Sequence, residues 1–221
     1  MGKTNLAVLP KDEIIRRWRF RCIHGHSGIE HQSCYFKKQG VTERIGFFDL
    51  ETSNLKATFG YVLSFCIKQP KGKIIKRVLT SDEVRGGILD RNLCSDFIKA
   101  IQQFDRLIGY YSVRFDAPFI RTRCVSWGLD FPKYGELKHK DLYDIVRNKF
   151  SLHSNRLSAA CEFFGIPAKG HRLNPKVWNR AMAGSQRDLN YILTHNIEDV
   201  ISTELLWDKV CCYSKINNTS I

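Results

Sequence analysis

Apolar and polar positions along the chain follow two periods, one of two residues and one near 3.6, and together they predict an α/β fold. Ile45, Phe47, Phe48 and Leu50 read as a short buried strand, which Asp49 and Glu51 interrupt two residues apart. Successive side chains leave a strand on opposite faces, so these two carboxylates share one. Thr58 to Lys68 and Lys73 to Leu79 read as a second and third strand joined by a turn at Gln69-Pro-Lys-Gly72, which is the pattern of a hairpin. Leu93, Phe97, Ile98, Ile101 and Phe104 then recur at helical spacing, and Arg106 to Tyr111 forms a further strand. A helix is expected to start at Phe115, with Asp116 near its N-cap and Pro118 in the first turn, where a missing N–H does no harm.

Two more helices are predicted over Asp141 to Phe150 and Asn155 to Phe164, the second stopped by Gly165 and Pro167. The basic connector Lys169-Gly-His-Arg172 leads to a short helix near Trp178, and Gln186 to Val210 forms the last and longest one. Along it Tyr191, His195 and Asp199 recur every four residues and share a face, while Leu189, Ile192, Leu193, Val200 and Leu205 are available for packing. Residues 1–40 differ in character. Lys11 to Arg21 reads as a short basic and aromatic helix, followed by a dense Cys and His segment from Cys22 to Cys34. The expected organisation is a basic N-terminal segment (1–40), a main domain (41–212) and a C-terminal tail (213–221).

Composition adds a partner. Against 22 Asp and Glu the chain carries 35 Lys and Arg, a formal charge of +13, the sign expected of a protein that meets a polyanion such as nucleic acid. No apolar run approaches the roughly 20 residues of a membrane span, and the start lacks a secretory apolar region. The expectation is an intracellular, soluble protein, cytoplasmic or nucleoid-associated, with no membrane partner. In that setting eight cysteines point to reduced thiols or metal ligands over a disulfide framework. Zinc takes four N or S ligands, which Cys22, His26, His31 and Cys34 supply at knuckle-like spacing, with His24 as an alternative to His26. Such a zinc ion would be structural; cysteines and histidines in a plain loop are the other reading.

Two carboxylates side by side on a buried strand are tolerated when a cation or a proton relieves their repulsion. A divalent metal would do so, as would one of the many Lys and Arg side chains. The order of the signals narrows the choice. Phe47-Phe-Asp-Leu-Glu-Thr52, Ile108-Gly-Tyr-Tyr-Ser-Val-Arg-Phe-Asp-Ala-Pro-Phe119 and His195-Asn-Ile-Glu-Asp-Val200 resemble the three motifs of the DEDD superfamily of 3′ to 5′ exonucleases. The likeness is greatest to stand-alone ribonuclease-H-like proteins and to proofreading domains of replicative DNA polymerases. It covers about Arg44 to Leu206 and implies a mixed ribonuclease-H-like sheet flanked by helices, preceded by the small Cys/His module.

The resemblance further implies that Asp49, Glu51, Asp116 and Asp199 hold two Mg2+ or Mn2+ ions about 3.5 to 4 Å apart. In its histidine branch the base stands five residues before the last Asp, a position held here by Thr194; in its tyrosine branch a Tyr stands four before it. This chain has His195 in the tyrosine slot, where it would orient the attacking water or accept its proton. Tyr110, Tyr111 and Phe115 are candidates for stacking on terminal bases, with core packing as the alternative. Arg114, Arg121 and Arg123 are candidate phosphate contacts, or an ordinary solvated helix face. Tyr111 stands where polymerase relatives often have Asn. The implied substrate is single-stranded DNA or RNA, or its 3′ ends; a nucleic-acid-binding protein and a structure-selective endonuclease are the alternatives.

Overall fold

A computed structural model describes residues 10–40, 43–167, 170 and 174–214. In chain order the elements are α1 (Lys11–Arg19), α2 (Gln32–Lys38), β1 (Ile45–Thr52), β2 (Val62–Lys68), β3 (Ile74–Val78), α3 (Ser81–Arg85) and α4 (Arg91–Ile101). They continue with β4 (Arg106–Gly109), α5 (Asp116–Ser126), β5 (Lys138–Asp141), α6 (Leu142–Lys149), α7 (Leu157–Phe163), α8 (Pro175–Met182) and α9 (Gln186–Val210). Lys169, His171 and Arg172 of the basic connector, and residues 215–221 of the tail, lie outside the described residues.

The five strands form one mixed sheet in the order β3-β2-β1-β4-β5, with β1 at its centre. β1 runs antiparallel to β2, pairing Asp49 with Cys66 and Glu51 with Ser64, and parallel to β4, pairing Phe47 with Ile108. Two apolar layers cover it. Phe48 and Leu50 point into a core with Phe65, Phe97 of α4 and Ile120 of α5, where Phe65 and Phe97 meet edge to face at 5.3 Å. Phe47 and Cys66 point the other way, onto Ile145 of α6, Cys161 of α7 and Val200 and Leu206 of α9. The face of β1 that carries Asp49 and Glu51 is therefore the one that α9 covers. A Lys68–Glu204 ion pair of 2.6 Å, both side chains nearly buried, fixes α9 to β2.

Three elements differ from expectation. β2 begins at Val62, because residues 53–61 form bends and a turn before the sheet is rejoined. α3 is a separate short helix, started by a capping box in which Thr80 and Glu83 exchange side-chain and backbone hydrogen bonds. Asp141 does not open a helix of its own accord: it ends β5 and then caps α6, accepting the Tyr143 N–H at 2.9 Å. The strand β5 escapes an apolar pattern because its two buried positions are His139 and Asp141.

Candidate active site

Asp49 and Glu51 reach the site from β1, next to an irregularity in its pairing with β2 between Glu51 and Thr52. Asp116 comes from the first turn of α5. It is not a cap, since its carboxylate crosses to β1 and accepts the Leu50 N–H at 3.0 Å. Burial, and then the Asp49 charge, hold the Asp116 carboxyl well above the usual range. A buried acid in that position keeps its proton or faces a cation.

The loop between β4 and α5 is shaped to deliver Asp116. Ser112 folds back on Gly109, where an added Cβ would collide with it. Tyr111 adopts a left-handed φ of 61°, uncommon for a bulky residue. Asp141 holds this turn by accepting the Tyr111 and Val113 N–H groups at 2.8 and 3.0 Å. Burial nonetheless raises the Asp141 carboxyl, and its charge adds to the upward push on Asp116.

α9 supplies the remaining groups. His195 Nε2 lies 3.8 Å from Glu51 Oε1 and 3.5 Å from Asp199 Oδ2. One ligand atom from each of Glu51, His195 and Asp199 falls within 4.8 Å of the others, so these three could hold a metal ion. Asn196, fully buried, donates from Nδ2 to Asp49 Oδ2 at 2.8 Å. Its Oδ1 is also buried and has no hydrogen-bond partner among the described residues. Trp178 of α8 closes one side, its ring edge-on to His195 at 6.4 Å and its Nε1 donating to the Thr52 carbonyl at 3.1 Å. Tyr191, one turn before His195, packs against the apolar core.

Thus Asp49, Glu51, Asp116, His195 and Asp199 converge from three distant stretches. Asn196 and Asp141 join them without having been singled out from sequence. Asn196 lies inside the third motif but about 100° round the helix from His195. Asp141 had only the signature of a helix start.

The expected nucleic-acid contacts divide. Tyr111 is 44% exposed, and Arg114 lies over its ring at 5.8 Å while pairing with Asp144 at 2.8 Å. Arg121 is exposed over Phe131. Tyr110 is instead a packing residue: its hydroxyl donates to the Asn155 carbonyl at 2.6 Å and its ring meets Tyr143 edge-on. Phe115 packs on Phe119 and the core. Arg123 is committed to the fully buried Asp90, which it binds through two nitrogens at 2.8 and 2.7 Å.

A second group that could hold a metal ion comprises Cys22, His24, His31 and Cys34. His26 is outside it. A turn closed by the Gly25 N–H on the Cys22 carbonyl at 2.9 Å brings His24 back to Cys22, and the His26 carbonyl accepts the Cys22 N–H at 3.0 Å. His24 thus occupies the position expected for His26.

A central strand with two carboxylates, a third from a flanking helix and a fourth from the last helix define a ribonuclease-H-like protein with a nuclease-type site. Residues 46–211 match the RNase_H_2 family, of the RNase_H superfamily, and the chain belongs to it. It is 25% identical over 146 residues to a DNA polymerase of Archaeoglobus fulgidus, an alignment covering 58% of this chain and 18% of that one. Its fold resembles the family B DNA polymerase of Pyrobaculum calidifontis with a TM-score of 0.62 at 22% identity, covering 77% of this chain and 25% of that one. The chain therefore spans a quarter or less of the length of these polymerases. No helix among the described residues is long and apolar enough to cross a membrane.

Proposed function

We propose that the chain is a metal-dependent 3′ to 5′ exonuclease that hydrolyses phosphodiester bonds at the ends of single-stranded DNA or RNA. The observation that carries this reading is the meeting of half-buried Asp49 and Glu51 with buried Asp116, His195 and Asp199 in one patch. Membership of a nuclease-type superfamily supports it, and the 3′ to 5′ direction follows the resemblance of the three motifs.

The donor set suits hard divalent cations, because four carboxylates offer oxygen and the raised Asp116 carboxyl is relieved by positive charge. Asp49, Glu51, Asp116 and Asp199 would hold two Mg2+ or Mn2+ ions. When bound, such ions supply charge neutralisation and Lewis acidity at the attacking and leaving oxygens. His195, beside Glu51 and Asp199, orients the attacking water or accepts its proton. Asn196 fixes the Asp49 carboxylate through its amide, and Asp141 fixes the loop that delivers Asp116. Tyr111 and Arg114 are exposed where a terminal nucleotide and its phosphate can meet them, and Arg121 offers a further phosphate contact.

The test is digestion of matched DNA and RNA single strands labelled at the 3′ or the 5′ end, with Mg2+, Mn2+ or EDTA. Mononucleotide release from 3′ ends, abolished by EDTA, is expected. Internal cuts would assign an endonuclease, and binding without cleavage would assign a binding protein; either overturns the proposal.

A further inference from the structure

We infer that Cys22, His24, His31 and Cys34 form a structural zinc site that holds residues 10–40 in shape, outside the part of the chain matched by its family. The spacing of the ligand atoms carries the inference. Zinc bonds of about 2.3 Å to sulfur and 2.0 to 2.1 Å to nitrogen, at the tetrahedral angle, place a thiolate and an imidazole nitrogen about 3.6 Å apart. Cys22 Sγ lies 3.7 Å from His24 Nδ1 and 3.4 Å from His31 Nδ1, and Cys34 Sγ lies 3.8 Å from His24 Nδ1. These sulfur-to-nitrogen separations are those of a tetrahedron's edges, and both histidines present the same nitrogen.

Local structure explains how so short a stretch assembles the set. Gly25, at a φ of 80°, closes the Cys22–Gly25 turn, and Arg21 bridges to Ser27 beyond it. His31 and Cys34 are three residues apart at the start of α2, so both point to one side. Gly28 lies against α1, donating its N–H to the Arg17 carbonyl at 2.8 Å. A Cβ there would strike the Tyr35 ring.

Among its described side chains the segment buries little apolar surface. Within 10–40, among the side chains described, the buried apolar ones are Cys22 and Tyr35. Arg17 lies buried over the Tyr35 and Phe36 rings and pairs with Glu13 at 2.8 Å. A unit of about 30 residues with this little apolar burial ordinarily needs a metal or a disulfide. The eight cysteines form no disulfide.

The test is zinc stoichiometry of the purified full chain, prepared without chelator. An Asp199→Asn background weakens metal binding at the carboxylate site, and the zinc lost on adding His24→Asn in that background is the zinc counted for the Cys/His site. About one zinc per chain is expected. Co2+ exchange should give the absorption of tetrahedral cobalt with thiolate charge transfer. His24→Asn should lose most of the zinc and the cobalt spectrum, whereas His26→Asn should keep both. A chain with no zinc and no cobalt spectrum overturns the inference, as does loss of metal from His26→Asn but not from His24→Asn. Neither readout depends on nuclease activity, so failure here is distinguishable from failure of the exonuclease reading.

Discussion

Asn196→Leu isolates the hydrogen bond that holds the Asp49 carboxylate. The amide is fully buried and donates at 2.8 Å to a charged acceptor, while its own Oδ1 has no hydrogen-bond partner among the described residues. Leucine keeps the branched shape and the number of heavy atoms, though its methyl groups are bulkier than the amide, and it removes the unsatisfied acceptor, so α9 should stay packed on β1. What is lost is a hydrogen bond to a charged group, worth about 1.5 to 3 kcal/mol, or about 10- to 150-fold in an equilibrium constant. That range agrees with the roughly 10- to 100-fold effect of removing groups that orient metal ligands. The assay is a Mg2+ titration of cleavage, with thermal unfolding and single-strand binding in EDTA as controls. Half-saturating Mg2+ should rise about 10- to 100-fold, with single-strand binding little changed and the unfolding temperature lowered by no more than about 10 °C, so that the variant is folded throughout the assay. A folded variant whose Mg2+ dependence lies within threefold of wild type would refute the assignment of Asn196 as the group that orients Asp49.

Two further perturbations probe the surroundings. His195→Ala should lose about 10² to 10⁴ in rate with the Mg2+ requirement little changed, the signature of a water-orienting group; a large rise in Mg2+ requirement would make His195 a ligand. The buried His139, whose Nε2 lies 2.9 Å from Ser112 Oγ, is pushed down to about 3 by burial and by the Arg106 and Arg121 charges. Its folded state stays neutral while the unfolded chain takes up a proton near pH 6.5, so its contribution is fully present above that pH. It is lost as pH falls toward 3, at about 1.4 kcal/mol per unit. In urea unfolding from pH 7 to 4.5, the stability gap between wild type and His139→Gln should therefore shift by about 2 to 3 kcal/mol against wild type; a constant gap would show that His139 titrates normally.

Asp49 and Glu51 were legible in the sequence because two charged residues stand out from the apolar run of Ile45, Phe47, Phe48 and Leu50 on β1. The face shared by His195 and Asp199 was legible for a similar reason, since four-residue spacing on a long amphipathic helix leaves few alternatives. Asp141 was hidden because β5 alternates in burial but not in polarity: its inward positions are a histidine and an aspartate. The role of Asn196 depends on where β1 passes α9, a tertiary fact with no local signature. Spacing alone favoured His26 over His24, and the Cys22–Gly25 turn reversed that order. Tyr110, Phe115 and Arg123 have the residue types of nucleic-acid contacts, yet each is drawn into packing or a buried ion pair by neighbours far away in sequence.

Whether the carboxylates meeting between β1, α5 and α9 form a hydrolytic metal site is tested most directly by comparing wild type with Asp199→Asn in Mg2+ on a 5′-labelled single strand, following cleavage and binding in the same samples. Wild type should shorten the strand stepwise from its 3′ end, and the variant should bind it within a few fold yet leave it intact. An Asp199→Asn protein that still cleaves at the wild-type rate would contradict the account.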